Sequence, residues 1–356
     1  MMKKLCVITT SLGKGGAERS TAILSKILSD FQYDVHILMT KNDIDYEFSG
    51  TLFSLEKEYG SNISNFKKIR VLRLYFKEHS FDYIIDNRTR PGFFKEYVLY
   101  NCVFRAKDKI SVVRSHFFKN YFPNNKFLVR LLYKNTTIVG VSKEIENTIF
   151  KKYGLKKVTH IYNSVEVNGF CTRSNEEIEL VEEFILWYGR IEESVKNLTL
   201  LLKAYKKSSL SKRNIKLYII GQGKDISILK EKINNFQLNG FVHHLPFSKN
   251  PFPYVKKAKF TVLTSYHEGF PRVLIESLAC GTPVVSVNCK SGPKEIIKHE
   301  YNGLLVENHN PSVLAIAFDS FIENKKLYNE CKKNAKASVS KFSKENISKQ
   351  WKKLLK

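Results

Sequence analysis

Short β-branched runs alternate with amphipathic stretches along almost the whole chain, and that order leaves few folds open. Residues 5–10, 34–39, 83–86, 109–114 and 136–141 have strand character, and 18–28, 66–77 and 144–150 have helical periodicity. A β-then-α order predicts a parallel sheet covered on both faces. The pattern pauses from about 163 to 183, then restarts with strand-like runs at 184–188, 216–220, 240–245, 260–264 and 283–287. The expected architecture is α/β with two doubly wound domains, 1–165 and 166–340, joined by a hinge near 165–183. From Pro311 onward the chain has the character of consecutive helices. Its end, 341–356, carries an apolar stripe of Ile347, Trp351, Leu354 and Leu355 that must dock, and it is expected on the N-terminal domain.

Length and composition fit this picture. The 356 residues are 43% hydrophobic and 26% charged, a globular composition sufficient for two cores. Lys plus Arg is 59 against 34 Asp plus Glu, giving a formal charge of +25, which points to phosphate-bearing partners. Nucleic acid is not the expected partner, because such a protein should gather its cations with base-stacking aromatics on one patch, and here both halves are about equally basic. The six cysteines lie far apart without C-x-x-C spacing, which argues against zinc and against a disulfide scaffold. No long apolar run follows the N-terminus or occurs elsewhere, so the expectation is a soluble cytoplasmic protein, peripheral at most on the inner face of the cytoplasmic membrane.

In open α/β sheets ligands bind beyond the carboxyl ends of strands, and the glycine-rich and charged motifs fall there. Gly13, Gly15 and Gly16 follow the first strand and open the first helix, where backbone can approach a phosphate closely. Trp187-Tyr188-Gly189-Arg190 ends the first strand of the second half, with Lys196 shortly after; Arg and Lys together suit a diphosphate. Gly221-Gln222-Gly223 follows the next strand and on its own is best taken as a turn. The strongest segment is Glu268-Gly269-Phe270-Pro271-Arg272, leading into a mostly apolar helix with Glu276 inside it. A carboxylate on such a helix needs partners, and two carboxylates so spaced suit different hydroxyls of one elongated ligand.

At these residues the chain resembles the family 4 retaining glycosyltransferases of the GT-B fold. Glu268 to Glu276 matches that family's E-x7-E motif. Ser291-Gly292-Pro293-Lys294-Glu295, Asn302-Gly303-Leu304-Leu305-Val306 and Gly15-Gly16-Ala17-Glu18-Arg19 match further blocks. The resemblance implies two facing Rossmann-like domains, the first binding acceptor and the second a nucleotide sugar. It implies Gly15 and Gly16 at the donor diphosphate, with Arg190 and Lys196 stabilising its departing charge. Glu268, with the backbone of Gly269, Phe270, Pro271 and Arg272, would hold donor sugar and phosphate, alongside Gly189 and Gly221. Glu276 would bind ribose hydroxyls, and His116 would lie near the anomeric carbon. The family usually places its Lys five residues after the Arg; here the spacing is six, and the extra residue is expected to bulge out and leave Lys196 in place.

The reaction implied is transfer of a hexose or N-acetylhexosamine from a nucleotide diphosphate sugar, with a UDP-sugar the expected donor, to a hydroxyl of a lipid-linked or surface-polysaccharide glycan. The alternatives are a sugar-nucleotide epimerase, a phosphorylase or a binding-only relative. No metal or other cofactor is expected. Asp43-Ile44-Asp45 sits in a polar loop taken to be remote from every other motif, and His243-His244 lacks a third ligand at suitable spacing. An anionic membrane surface is a candidate contact. The aromatic-rich loop 117–122 is its expected seat, with Phe127, Leu128, Leu131 and Leu132 expected to be core.

Overall fold

The computed structural model describes residues 2–165, 173–180 and 182–356. Eight of the nineteen positions of the expected hinge, 166–172 and 181, lie outside the described residues. Two units emerge: residues 1–164 with Ile347–Lys356, and Val165–Asn346.

The first unit is a seven-stranded sheet of order β3-β2-β1-β4-β5-β6-β7. Its strands are β1 Lys4–Thr9, β2 Asp34–Met39, β3 Thr51–Ser54, β4 Phe81–Asp86, β5 Ala106–Val113, β6 Thr136–Gly140 and β7 Val158–His160, and every pairing is parallel. In β1 and β2 all residues after the first are buried, as a sheet covered on both faces requires. The helix Gly16–Asp30 returns from β1 to β2 and buries Ile23, Leu24, Ile27 and Leu28. Caps set the other helices: the Ser142 side chain accepts from the Ile145 N–H at the start of Lys143–Tyr153, and Gly154 ends that helix in a left-handed conformation.

The second unit is a six-stranded parallel sheet of order β10-β9-β8-β11-β12-β13. Its strands are β8 Phe184–Tyr188, β9 Lys216–Ile220, β10 Val242–Leu245, β11 Thr261–Leu263, β12 Val284–Val287 and β13 Gly303–Val306. One apolar core joins strand residues such as Trp187, Ile219 and Val285 to Leu201 and Tyr205 of the helix Leu198–Lys207 and to Phe318 of Pro311–Glu323.

The tail forms Pro311–Glu323, Lys325–Ser338 and Lys344–Leu354. Ile347, Trp351 and Leu355 are buried, and the Leu355 carbonyl accepts from the hydroxyls of Tyr33 (2.9 Å) and Tyr83 (3.1 Å). The end of the chain is thus part of the first unit's core.

Candidate active site

Both sheets reverse strand order at one point, and there the loops that leave neighbouring strands diverge and open a crevice. In the second unit the reversal lies between β8 and β11, so the segments after Tyr188 and Leu263 become neighbours. Three contacts join them: Thr264 Oγ1 donates to the Lys196 carbonyl (2.9 Å), the Tyr266 N–H donates to the Val195 carbonyl (2.9 Å), and Lys196 Nζ lies 2.6 Å from Glu268 Oε1. Ser265 Oγ donates to the same carboxylate oxygen at 2.7 Å. The pair is mostly buried, 19% exposed for the Lys196 side chain and 14% for Glu268, so it is screened far less than a surface ion pair.

Between Arg190 and Lys196 the chain makes a single helical turn, Glu193–Lys196. Asn197 closes that turn in a left-handed conformation, and its side chain accepts from the Leu200 N–H to start the next helix. Arg190 stands apart from the Lys196–Glu268 pair in its contacts: its guanidinium is 63% exposed and 3.9 Å from Glu192.

Glu276 is buried on the helix Arg272–Ala279, with Arg272 Nε 3.5 Å from Oε1 and the Tyr188 hydroxyl 3.5 Å from Oε2. Tyr188 also donates to the Val273 carbonyl (2.8 Å), fixing this helix to the end of β8. Pro271 is the N-cap of the helix, and the first-turn N–H groups of an α-helix have no acceptor within it, so this end is suited to an anion. The loop before it is clamped from the end of β12: the Glu268 N–H donates to the Lys290 carbonyl (2.7 Å), Ser291 N–H to Glu268 (3.0 Å) and Ser291 Oγ to Gly269 (2.8 Å).

Gly189 and Gly221 meet backbone to backbone. A Cβ on Gly221 would fall 1.9 Å from the Gly189 carbonyl oxygen, a contact that no side-chain rotation relieves. Gly221→Ala is therefore expected to lower the melting temperature of the second unit by several degrees and to weaken nucleotide-sugar binding. Gly92→Ala, with open space around it and a φ of −97°, should be neutral in the same thermal scan.

In the first unit the reversal lies between β1 and β4. The glycine loop after β1 is not remote from Asp43-Ile44-Asp45, contrary to expectation. Leu12 and Ile44 form a parallel bridge, the Leu12 N–H donates to Asp43 (2.9 Å), and a Cβ on Gly13 would fall 1.9 Å from Asp43 Oδ2. β1 and β2 are parallel neighbours, so the segments leaving them run side by side. Gly15 is the N-cap of Gly16–Asp30 and lies against the Glu18 carboxylate. His116, half-buried after β5, packs its ring 4.9 Å from Phe118. Two residues earlier, Arg114 donates to Asn163 Oδ1 (2.9 Å) and Asn87 Oδ1 (3.0 Å), so β5, β4 and the segment after β7 converge.

A buried charge cluster at the end of β4 escaped the sequence reading. Asp86 takes a two-pronged contact from Arg88 (2.9 and 2.8 Å), Arg88 also reaches Glu96 (3.0 Å), and Arg90 is fully buried with donors on the carbonyls of Asp86, Arg88 and Val112. The signal was present in Asp86-Asn87-Arg88-Thr89-Arg90, an acid ending a strand with arginines two and four residues later. The aromatic segments depart from expectation in part: Phe117 is exposed and Leu132 is in the core as expected, but the loop's other aromatics and the outer stripe of the helix are exchanged. Phe118, Tyr121 and Phe122 are buried, whereas Phe127 and Leu131 are exposed and Val129, Leu132 and Tyr133 face the core.

Among the described residues no group of three or more His, Cys, Asp or Glu side chains is placed to hold a metal ion, and no helix is long and apolar enough to cross a membrane.

Residues 172–338 match the family model described as glycosyl transferases group 1. The chain is 32% identical, over 98% of its length and 98% of the relative's, to N-acetylgalactosamine-N,N'-diacetylbacillosaminyl-diphospho-undecaprenol 4-alpha-N-acetylgalactosaminyltransferase of Campylobacter jejuni. Among solved structures it superposes on Anabaena HepE in complex with UDP (TM-score 0.78, 18% identity, 99% of both chains). It also superposes on a Staphylococcus aureus TarM mutant in complex with UDP (TM-score 0.79, 15% identity, 99% of this chain and 100% of that one). Those likenesses show the fold, two parallel-sheet α/β domains of GT-B type. The full-length relative shows the family: the chain belongs to the group 1 glycosyl transferases and is a retaining glycosyltransferase of the hexosyltransferase class.

Proposed function

We propose that the protein transfers a hexose or N-acetylhexosamine from a UDP-sugar to a hydroxyl of a lipid-linked or surface-polysaccharide glycan, working at the inner face of the cytoplasmic membrane. The observation that carries this reading is the pairing of Lys196 with Glu268 at the β8/β11 reversal, beside a helix N-terminus and the buried Glu276. A cation and an anion-binding helix end suit a diphosphate, and two separate carboxylates suit the hydroxyls of a sugar and a ribose. The C. jejuni relative's name, a GalNAc transferase acting on a diphospho-undecaprenol-linked sugar, supports an N-acetylhexosamine and a lipid-linked acceptor. The UDP-glucose bound to Anabaena HepE supports the donor base.

In the reaction the bond from the anomeric carbon to the diphosphate oxygen breaks and a bond to the acceptor oxygen forms, with loss of the acceptor's proton. The departing diphosphate gains negative charge, which Lys196, held in place by Glu268, and the more exposed Arg190 offset. Glu268, with Gly269, Phe270, Pro271 and Arg272, orients the sugar, and Glu276 takes the ribose. Gly189 and Gly221 let backbone approach the nucleotide. On the first unit, which we assign to the acceptor, Gly15 and Gly16 serve the diphosphate and His116 the anomeric centre. No covalent nucleophile is assigned.

The test is saturation-transfer NMR of the protein against UDP-, GDP- and ADP-sugars. A UDP-sugar should bind, and Glu276→Ala should weaken it by about tenfold or more, the effect of removing a charged hydrogen-bond partner. Equal binding by that variant, or preference for another base, overturns the assignment.

A further inference from the structure

The strand order of the first unit places four helices on one face of its sheet. The connections β3→β4, β4→β5, β5→β6 and β6→β7 all advance in the same direction, and right-handed crossovers put Asn65–His79, Phe93–Val98, Lys126–Tyr133 and Lys143–Tyr153 on that side. The connection β1→β2 runs the other way, so Gly16–Asp30 lies opposite. That opposite side is covered, for Ile347 and Trp351 of the C-terminal helix line a cavity together with Ile23, Leu24 and Ile27.

Each of the four helices points one phenylalanine into solvent: Phe66 is 81% exposed, Phe94 84%, Phe127 71% and Phe150 59%. These are the four most exposed aromatic side chains among the described residues. Leu74, Tyr97 and Leu131 add to them. Cations surround the rings. Asn65–His79 carries Lys67, Lys68, Arg70, Arg73 and Lys77 against Glu78 alone, and Lys126–Tyr133 has Lys126 and Arg130 without any carboxylate. The acidic residues on the other two helices are largely engaged: Glu96 is buried on Arg88, and Glu146 lies 2.5 Å from His160.

We propose that this face rests on an anionic bilayer surface, the phenylalanines entering at headgroup depth and the lysines and arginines lying against lipid phosphates. Aromatic rings interleaved with cations are what such a surface selects. The rings are spaced one per helix instead of gathered in a groove, which fits a broad fluid partner better than a folded one. A second copy of the chain is disfavoured, since a twofold contact through this face would set cations against cations. The proposal stands on this face alone and does not depend on the donor or acceptor chosen above.

The experiment is co-sedimentation of the full chain with vesicles of phosphatidylcholine, alone or with about a third phosphatidylglycerol. Binding should require the anionic lipid and fall as salt is raised. The double variant Phe94→Ser/Phe127→Ser should lower the partition coefficient by about tenfold or more, at unchanged melting temperature and unchanged nucleotide-sugar binding. Ile316→Ser, at an apolar position of the second unit that is 64% exposed, should leave it unchanged. Indifference of the native chain to anionic vesicles, or equal binding by the double variant, overturns the proposal. So does a concentration-dependent dimer in sedimentation velocity that the double variant abolishes, which would assign the face to a second copy.

Discussion

Replacing Lys196 by alanine is expected to lower kcat by about 10²- to 10³-fold, while the donor KM changes by less than about fivefold. Under the proposed site the ammonium does its work as charge builds on the departing diphosphate, so its loss falls on turnover more than on ground-state binding. The local backbone does not depend on that side chain. The Lys196 carbonyl still accepts from Thr264, and the Val195 carbonyl from Tyr266. Glu268 keeps the Ser265 hydroxyl at 2.7 Å when its ammonium partner is gone. The variant leaves the mostly buried Glu268 carboxylate without its cation, so it should fold with a lowered melting temperature, and kcat measured well below that temperature separates a catalytic loss from a structural one. Lys196→Arg should recover part of the rate, because it restores charge at a site where the compact ammonium fits better than a planar fork. Turnover within threefold of the parent for Lys196→Ala would remove Lys196 from the mechanism.

What the sequence made legible is what depends on strand ends. β-branched runs mark the strands, and the residues directly after them inherit a position at the sheet's carboxyl edge, so Glu268, Gly221 and the glycine loop were placed by order alone. The edge strands Thr51–Ser54 and Val158–His160 were not seen, because neither stands in a continuous apolar run like the Phe260–Leu263 stretch that marked the equally short Thr261–Leu263. The outward face of Lys126–Tyr133 was misjudged for a different reason. That helix is apolar on most sides, so two stripes compete, and the one with Val129, Leu132 and Tyr133 won the core. Adjacency between loops is the other blind spot. Asp43 meets Gly13 across thirty residues of sequence because their strands are parallel neighbours, and only the pairing of β1 with β2 reveals that.

Asp86→Asn is expected to be the most damaging single change in the first unit, costing about 3–5 kcal/mol, enough to lower its melting temperature by roughly 6–20 °C. Asp86 is fully buried and answers two guanidiniums, while the Tyr100 hydroxyl donates to Oδ2 at 3.0 Å. A neutral amide would leave Arg88 and Arg90 as buried charges with only Glu96 to balance them. The pH dependence separates Asp86 from its neighbour. Burial raises the Asp86 pKa, but Arg88 and Arg90 outweigh it, and the net value lies below that of an ordinary carboxylate. The stability Asp86 contributes is thus complete above the ordinary carboxylate pKa of the unfolded chain. It is lost as pH falls from there through the folded value, because the unfolded chain takes up the proton first. Glu96 goes the other way: burial raises its pKa despite Arg88. Its ionised form is disfavoured in the folded state, and acidification relieves that cost. Glu96→Gln should therefore cost much less than Asp86→Asn, since the amide oxygen can still accept from Arg88. Thermal scans of the parent and both variants between about pH 3 and 7 test this directly. The parent should lose stability toward the acid end, Asp86→Asn should start low and show a flatter acid limb, and Glu96→Gln, lacking the gain that protonation of Glu96 brings, should start near the parent and fall slightly more steeply. Equal losses for the two variants at neutral pH would mean that the cluster is held by shape and not by the Asp86 charge.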